Sequence, residues 1–232
     1  LVGVPEGTAK IGVSVIDPGV TQHYRDMSAA RSLRLLEVDD ARRPAVEHFV
    51  RERFAAHYQA RVRHFMPRLF ALEAADGSLH GAVGCRGAAD QGLFLERYLD
   101  EPVERVITRR AGERVARDGI VEVGNLAAHG AGTARLLIIA LTRILAAEGL
   151  RWVCFTGTPA LINSFRRLGL DPLTLGPADP RRMGAELPEW GSYYDAGPLV
   201  MAGEIRGGDR TLAGAGRELQ SGRGGQLRAG CV

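Results

Sequence analysis

The sequence predicts one alternating α/β domain, and three observations predict it. Between Leu33 and Ile205, strand-like apolar runs and runs of helical periodicity interleave in the order β-α-β-β-α-β-α-β-α-β-β. A glycine-rich turn, Gly130-Ala131-Gly132, joins one of these strands to the most apolar helix of the chain. The 232 residues, 45% hydrophobic and 25% charged, are enough for one good-sized core with extensions. The expected bounds are an irregular N-terminal arm over residues 1–30, the α/β domain over residues 31–205, and a disordered Gly/Arg-rich tail over residues 206–232.

Each element has a local reason. Ser32 to Val38 reads as a strand through Leu33, Leu35, Leu36 and Val38. Asp39 and Asp40 can then cap a helix from Arg42 to Ala60, with Pro44 in its first turn and Ala45, Phe49, Phe54 and Ala56 on its buried face. Leu69 to Ala74 and Leu79 to Gly84 are two short apolar runs, and Asp76-Gly77-Ser78 between them signals a hairpin. Leu93 to Ile107 reads as one or two polar helices broken at Pro102. Ile120 to Ala127 is a strand by composition, and Gly124 within it marks a bulge or a close backbone approach.

A helix from Thr133 to Glu148 follows, apolar around most of its circumference and ended by Gly149. Trp152 to Thr156 is a buried strand, Pro159 to Leu168 a short helix stopped by Gly169, and Leu173 to Leu175 and Leu199 to Ile205 the last strands. Tyr193 and Tyr194 are read as neighbours on a strand, with their side chains on opposite faces. From Gly207 onward, glycines and scattered Arg leave too little apolar surface to offset chain entropy.

Charge and cysteine usage exclude several classes. The net charge of +3 lies in the tail, where five Arg face Asp209 and Glu218, while residues 1–205 carry 25 basic and 25 acidic groups. A basic nucleic-acid-binding face is therefore not indicated, and no nucleic-acid partner is expected. The longest aliphatic run, Leu136 to Leu141, is six residues, far short of the roughly 20 that span a bilayer. Peripheral membrane contact stays open. Three cysteines without metal-like spacing favour a reducing, cytoplasmic compartment, with secretion left open. Cys85 and Cys154 read as small buried hydrophobes. No pair among the six His has metal-ligand spacing on a plausible element, so no metal site is expected.

The chemistry concentrates between residues 120 and 134. A glycine-rich turn opening a helix exposes backbone N–H groups at the positive end of the helix dipole, where a phosphate binds; a tight turn with close packing is the alternative. Glu122, flanked by Ile120, Val121 and Val123, should be partly desolvated, which raises a carboxyl pKa toward the range of a general base. A structural carboxylate paired to Arg is the other reading. Asn125 could hold a substrate carbonyl or a water, or satisfy broken strand pairing. Glu96, Tyr98 and Asp100 are candidates to line an acceptor pocket.

Strand, GxG turn, helix, strand and a short helix ending Arg167-Leu168-Gly169-Leu170 resemble the GNAT acyltransferase superfamily. The resemblance implies a three-layer fold, a mixed twisted sheet with helices on both faces. It also implies an acyl donor bound by Gly124, Leu126, Gly130, Ala131, Gly132, Thr133, Ala134, Asn163 and Phe165. Ala127 stands where a basic or amide side chain is usual, which admits an acyl-carrier-protein donor beside acyl-CoA, as in the similar acyl-homoserine-lactone synthases. Phe165 stands where many members place the tyrosine that protonates the leaving thiolate, so Tyr193 or Tyr194 is the nearest replacement.

A narrower resemblance, to the thermostable hemolysin family, rests on Leu93 to Pro102, Val121 to Ala127, Phe155-Thr156-Gly157-Thr158, Asn163 with Phe165, and Trp190-Gly191-Ser192-Tyr193-Tyr194. The expected function is N-acyl transfer from acyl-CoA or acyl-carrier protein to an amine of a small molecule such as an amino acid. Glu122, Asn125 and Tyr193 are the expected catalytic residues, and Glu96, Tyr98, Thr156, Trp190 and Tyr194 the expected substrate contacts. The alternatives are a haemolytic membrane-active protein, acting directly or through an acylated product, and an inactive acyl-thioester-binding domain.

Overall fold

The computed structural model describes residues 13–14 and 33–221, with side chains from residue 33 to 213. Eight strands, β1 (Val13–Ser14), β2 (Arg34–Glu37), β3 (Arg68–Glu73), β4 (Leu79–Gly87), β5 (Ile120–Ala128), β6 (Trp152–Gly157), β7 (Leu173–Pro177) and β8 (Leu199–Glu204), form one sheet in the order β1-β2-β3-β4-β5-β6-β8-β7. All neighbours are antiparallel except β5 and β6, which run parallel. Five α-helices lie among the described residues: α1 (Arg43–Tyr58), α2 (Val103–Ala111), α3 (Ala131–Ala147), α4 (Pro159–Arg167) and α5 (Ile205–Ser221).

Side-chain alternation sorts the helices into two layers. Val46, Phe49 and Val50 of α1 pack with Leu69, Ala71 and Ala82, while Val103, Val106 and Ile107 of α2 pack with Ile120, Trp152 and Cys154. On the other face, Leu137, Leu141 and Leu145 of α3 meet Phe70, Val83 and Val121, and Ile162 of α4 meets Phe155 and Met201. Cys85 and Cys154 are free and buried in these cores.

The sheet opens at its centre for a local reason. The parallel register runs from Ile120↔Trp152 to Val123↔Phe155 and stops, although β5 continues to Ala128 and β6 to Gly157. On the other side of β5, Gly84↔Gly124 is followed by Ala82↔Ala127, so β5 carries one extra residue. That bulge centres on Asn125, whose φ of 50° lies in the left-handed region that Asn tolerates better than most residues. The insertion reverses the side-chain phase. Val121 and Val123 face α3 before it, and Leu126 and Ala128 after it, while Ala127 turns to the α1 layer. A bulge bends its strand and steepens the twist, so β5 leaves β6 here.

Three expectations need correction. The stretch expected to be a disordered tail begins as α5, and Ile205 and Leu212 are only 2% and 4% exposed against the domain. Its few apolar residues fall on one helical face, which a count of composition misses. Residues 222–232, and the arm of residues 1–30 apart from Val13–Ser14, lie outside the described residues. Tyr193 and Tyr194 do not sit on a strand but on a 3-10 turn, Tyr193–Ala196, following a longer 3-10 stretch, Pro180–Trp190. Neither Asp39 nor Asp40 caps α1 itself; Asp39 accepts the Arg42 N–H one turn earlier, at 3.0 Å.

Candidate active site

A cavity of about 520 Å³ occupies the opening of the sheet, and its walls come from both faces. On the α3 side, Leu137, Leu141 and Leu145 lie one helical turn apart above Val83, Val123 and Val153, forming an apolar trough about 12 Å long. On the other side stand seven Phe, Tyr and Trp rings: Phe54, Tyr58, Phe65, Phe94, Tyr98, Trp190 and Tyr193. Tyr58 and Tyr193 meet edge-on at 5.2 Å, and Trp190 lies 5.4 Å from Tyr193 and 5.8 Å from Phe94. The 3-10 turn therefore brings the aromatic residues together where a strand would have separated them.

Glu122 sits where the two halves of the cavity meet. It is 3% exposed, and its two oxygens accept the backbone N–H groups of Phe94 at 2.8 Å and Leu95 at 2.9 Å. Burial pushes its carboxyl above the ordinary value, opposed by those two N–H groups and by the Arg86 guanidinium. Its partner groups are thus backbone amides, not the paired Arg of the structural reading. Each oxygen keeps a lone-pair direction for a further donor.

The Phe94–Tyr98 3-10 turn that supplies those amides is held by Glu96, not by the cavity. Glu96 receives a two-pronged bond from Arg117, at 2.6 and 2.9 Å, and also accepts the N–H groups of Leu93 and Val103. The Arg117 guanidinium is the chief reason its carboxyl is held down at about 2. Glu96 is therefore a tie within the α2 layer and does not line the cavity, which corrects its expected substrate role.

Three further candidates are engaged by neighbouring groups of the fold. Asn125 lines the cavity, but its Oδ1 accepts the Met66 N–H at 2.8 Å and its Nδ2 donates to the His64 carbonyl at 3.2 Å. Its amide fastens the 64–66 segment to the bulge, in keeping with the structural one of its two readings. The Tyr194 hydroxyl lies 2.5 Å from that of Tyr98, behind the cavity wall, so Tyr194 supports Tyr98 and does not line the site. Asp100 is exposed and ion-paired with Arg182.

Tyr193 does line the cavity; its hydroxyl reaches toward the Thr156 carbonyl at 3.5 Å, and burial pushes its pKa up. That suits a hydrogen-bond donor better than a full proton donor to a thiolate. Gly124, Leu126, Gly130, Ala131, Ala134, Thr156 and Phe165 are also in the walls, with Phe165 stacked on Phe155 at 4.7 Å. Gly132, Thr133 and Asn163 are not, and Asn163 is exposed. The Gly130 turn lies at the rim, and among the described residues no side chain caps the start of α3. An anionic group can dock on those amides.

Sequence reasoning missed Tyr58, Met66 and Arg86. Arg86 carried a signal: it is the one charged residue after the apolar run within β4, and the register sets it opposite Glu122. Met66 gave none, because its place across Gly84 and Gly124 is a long-range packing event.

A mixed sheet parted at its parallel pair, with a glycine turn at the start of the next helix, defines a GNAT-like fold. Solved structures agree. FeeM, an N-acyl amino acid synthase from uncultured soil microbes, is 17% identical, with 82% of this chain and 97% of that chain covered and a TM-score of 0.56. The AHL synthase LasI is 14% identical, with 76% and 91% covered and a TM-score of 0.52. The CoA-dependent acyl-homoserine lactone synthase BjaI, solved with MTA, is 15% identical, with 79% and 88% covered and a TM-score of 0.51. No curated protein matches the sequence. The chain belongs to the thermostable hemolysin family, whose model matches residues 36–209.

Proposed function

We propose that the protein moves an acyl group from a thioester donor to the amine of a small molecule such as an amino acid. The observation that carries this is the cavity through the sheet, with a desolvated carboxylate between an apolar trough and an aromatic chamber. The acyl chain lies in the trough along α3, whose length fits a fatty chain better than an acetyl group. The thioester lies in the opening, where the β5 edge has lost its β6 partner and can offer an N–H to the carbonyl oxygen. The donor is acyl-CoA or acyl-carrier protein. Ala127 is packed into the α1 layer, so its side chain gives the donor phosphates no contact and the α3 amides take that part.

The amine nitrogen attacks the thioester carbon. A C–N bond forms, the C–S bond breaks, the nitrogen gives a proton to Glu122 directly or through water, and the thiolate takes up a proton as it leaves. An amide and a free thiol result. Holding the two reactants in line supplies much of the acceleration, so few chemical groups are needed. That FeeM is described as an N-acyl amino acid synthase supports the reading at the level of shared fold.

The test is thiol release by purified protein with acyl-CoA and acyl-carrier-protein thioesters of graded length and a panel of amines, with products weighed by mass spectrometry. Transfer is expected, reduced by about 10²- to 10⁴-fold in Glu122→Gln. No thiol release with any pair would overturn the reading; full activity in the variant would overturn the role of Glu122. Liposome leakage measured with and without thioester separates lysis by the protein from lysis by its product.

A further inference from the structure

Among the described residues, three buried side-chain nitrogens have no hydrogen-bond partner: Nε of Arg53, Nε of Arg86 and Nε1 of Trp152. The two arginines both line the cavity. Leaving a buried guanidinium N–H unpaired is costly, so such a group in a cavity wall marks where a ligand acceptor belongs. Arg86 is the more tightly placed. Its Cα stands opposite Glu122 in the β4–β5 register, its side chain lines the cavity, and its Nη1 is tied to the Gly92 carbonyl at 3.2 Å. Among the described residues it is in ion-pair contact with no carboxylate.

The chamber thus presents three kinds of group on one face of the sheet: a carboxylate, a fixed cation with a free N–H, and a wall of aromatic rings. A fork-shaped guanidinium matches a carboxylate in geometry and charge. An acceptor that meets all three has an amine, a carboxylate close to it and an apolar side chain. Resting on the acyl-transfer reading above, we infer that the acceptor is an α-amino acid with an apolar or aromatic side chain, its carboxylate held by Arg86 while its amine faces Glu122. The carboxylate is not altered in the reaction; it fixes which nitrogen lies beside the thioester, and the chamber rings of Tyr58, Phe94 and Trp190 take the side chain. A simple amine lacking the carboxylate would leave the Arg86 N–H buried and unanswered, which is how discrimination arises.

The experiment compares kcat/KM of the full chain for phenylalanine, leucine and tyrosine with that for their carboxamides and for phenethylamine, using one thioester throughout. Wild type is expected to favour the free acids by about ten- to a hundredfold. In Arg86→Gln that ratio should fall toward one, and in Arg86→Lys it should lie between, because the charge remains without the fork. Equal kcat/KM for acids and carboxamides in wild type, or an unchanged ratio in Arg86→Gln, overturns the inference while leaving acyl transfer to amines standing. Should Arg86→Gln fail to fold, the wild-type ratio and Arg86→Lys decide. Absence of transfer to every amine in the wider panel overturns the acyl-transfer reading and this inference together.

Discussion

Replacing Glu96 with Gln tests how the α2 layer sets up the site. Glu96 is held at about 2 from an ordinary 4.5, first by its hydrogen bonds with Arg117 and then, against the cost of burial, by the Val103 and Leu93 N–H groups. At about 1.36 kcal/mol per pH unit the full difference is about 3.4 kcal/mol. The side chain is 20% exposed, so solvent screening reduces this to about 2 kcal/mol. A depressed carboxyl stabilises the fold above its unfolded value, and that contribution fades as pH falls from about 4.5 to about 2. By pH 2 roughly a tenth of it should remain.

Urea unfolding of wild type and Glu96→Gln at pH 7, 4 and 2 gives the difference directly. The gap should be about 2 kcal/mol at pH 7, smaller at pH 4, and close to nothing at pH 2, where protonated Glu96 and Gln are near-isosteres. Other carboxylates titrate in both proteins and cancel. A gap of the same size at pH 7 and pH 2 would refute the electrostatic account and leave only shape. Because the tie also anchors the turn that presents the Phe94 and Leu95 amides, acyl transfer should fall in the same variant.

Other consequences follow from the packing. A Cβ at Gly84 would lie 2.5 Å from the Met66 Cβ, whereas one at Gly124 would meet the flexible Met66 Cε at 2.6 Å. Gly84→Ala should therefore lose about 1–3 kcal/mol and Gly124→Ala distinctly less, read from paired thermal melts; equal losses would count against this packing. Leu145→Trp, at the trough's deep end, should shift the preferred acyl chain to shorter lengths in a thioester series, and an unmoved optimum would place the chain elsewhere. Leu212→Ala should cost about 2–4 kcal/mol in chemical denaturation, since Leu212 is 4% exposed; a disordered segment there would show no loss.

Much of the fold was legible because local pattern and tertiary demand coincide. The hairpin is written in two apolar runs around Asp76-Gly77-Ser78, and Gly77 takes the φ of 80° that such turns require. α3 is apolar because one face meets the sheet and another meets α5. Glu122 stood out as a carboxylate in a buried strand, and it is 3% exposed at the cavity. The bulge was legible to within one residue, signalled by Gly124 and centred on Asn125.

The rest depended on which distant groups meet. Glu96 looked like a pocket residue because nothing local distinguishes a carboxylate that faces a ligand from one that faces Arg117, 21 residues further on. Asn125 reads locally as either a chemical or a structural group because its partners, at 59 and 61 residues' separation, become neighbours only when the 64–66 segment lies across β5. Tyr193 and Tyr194 share one aromatic cluster through a 3-10 turn that their own sequence did not announce. By itself the amino-acid sequence determined the α/β succession, the buried strand carboxylate and the glycine turn, since periodicity and backbone freedom act over a few residues. Tertiary structure alone decided which polar groups are consumed by the fold and which, like the Arg86 Nε, are left unpaired in the cavity wall, because that depends on pairing between segments far apart in the chain.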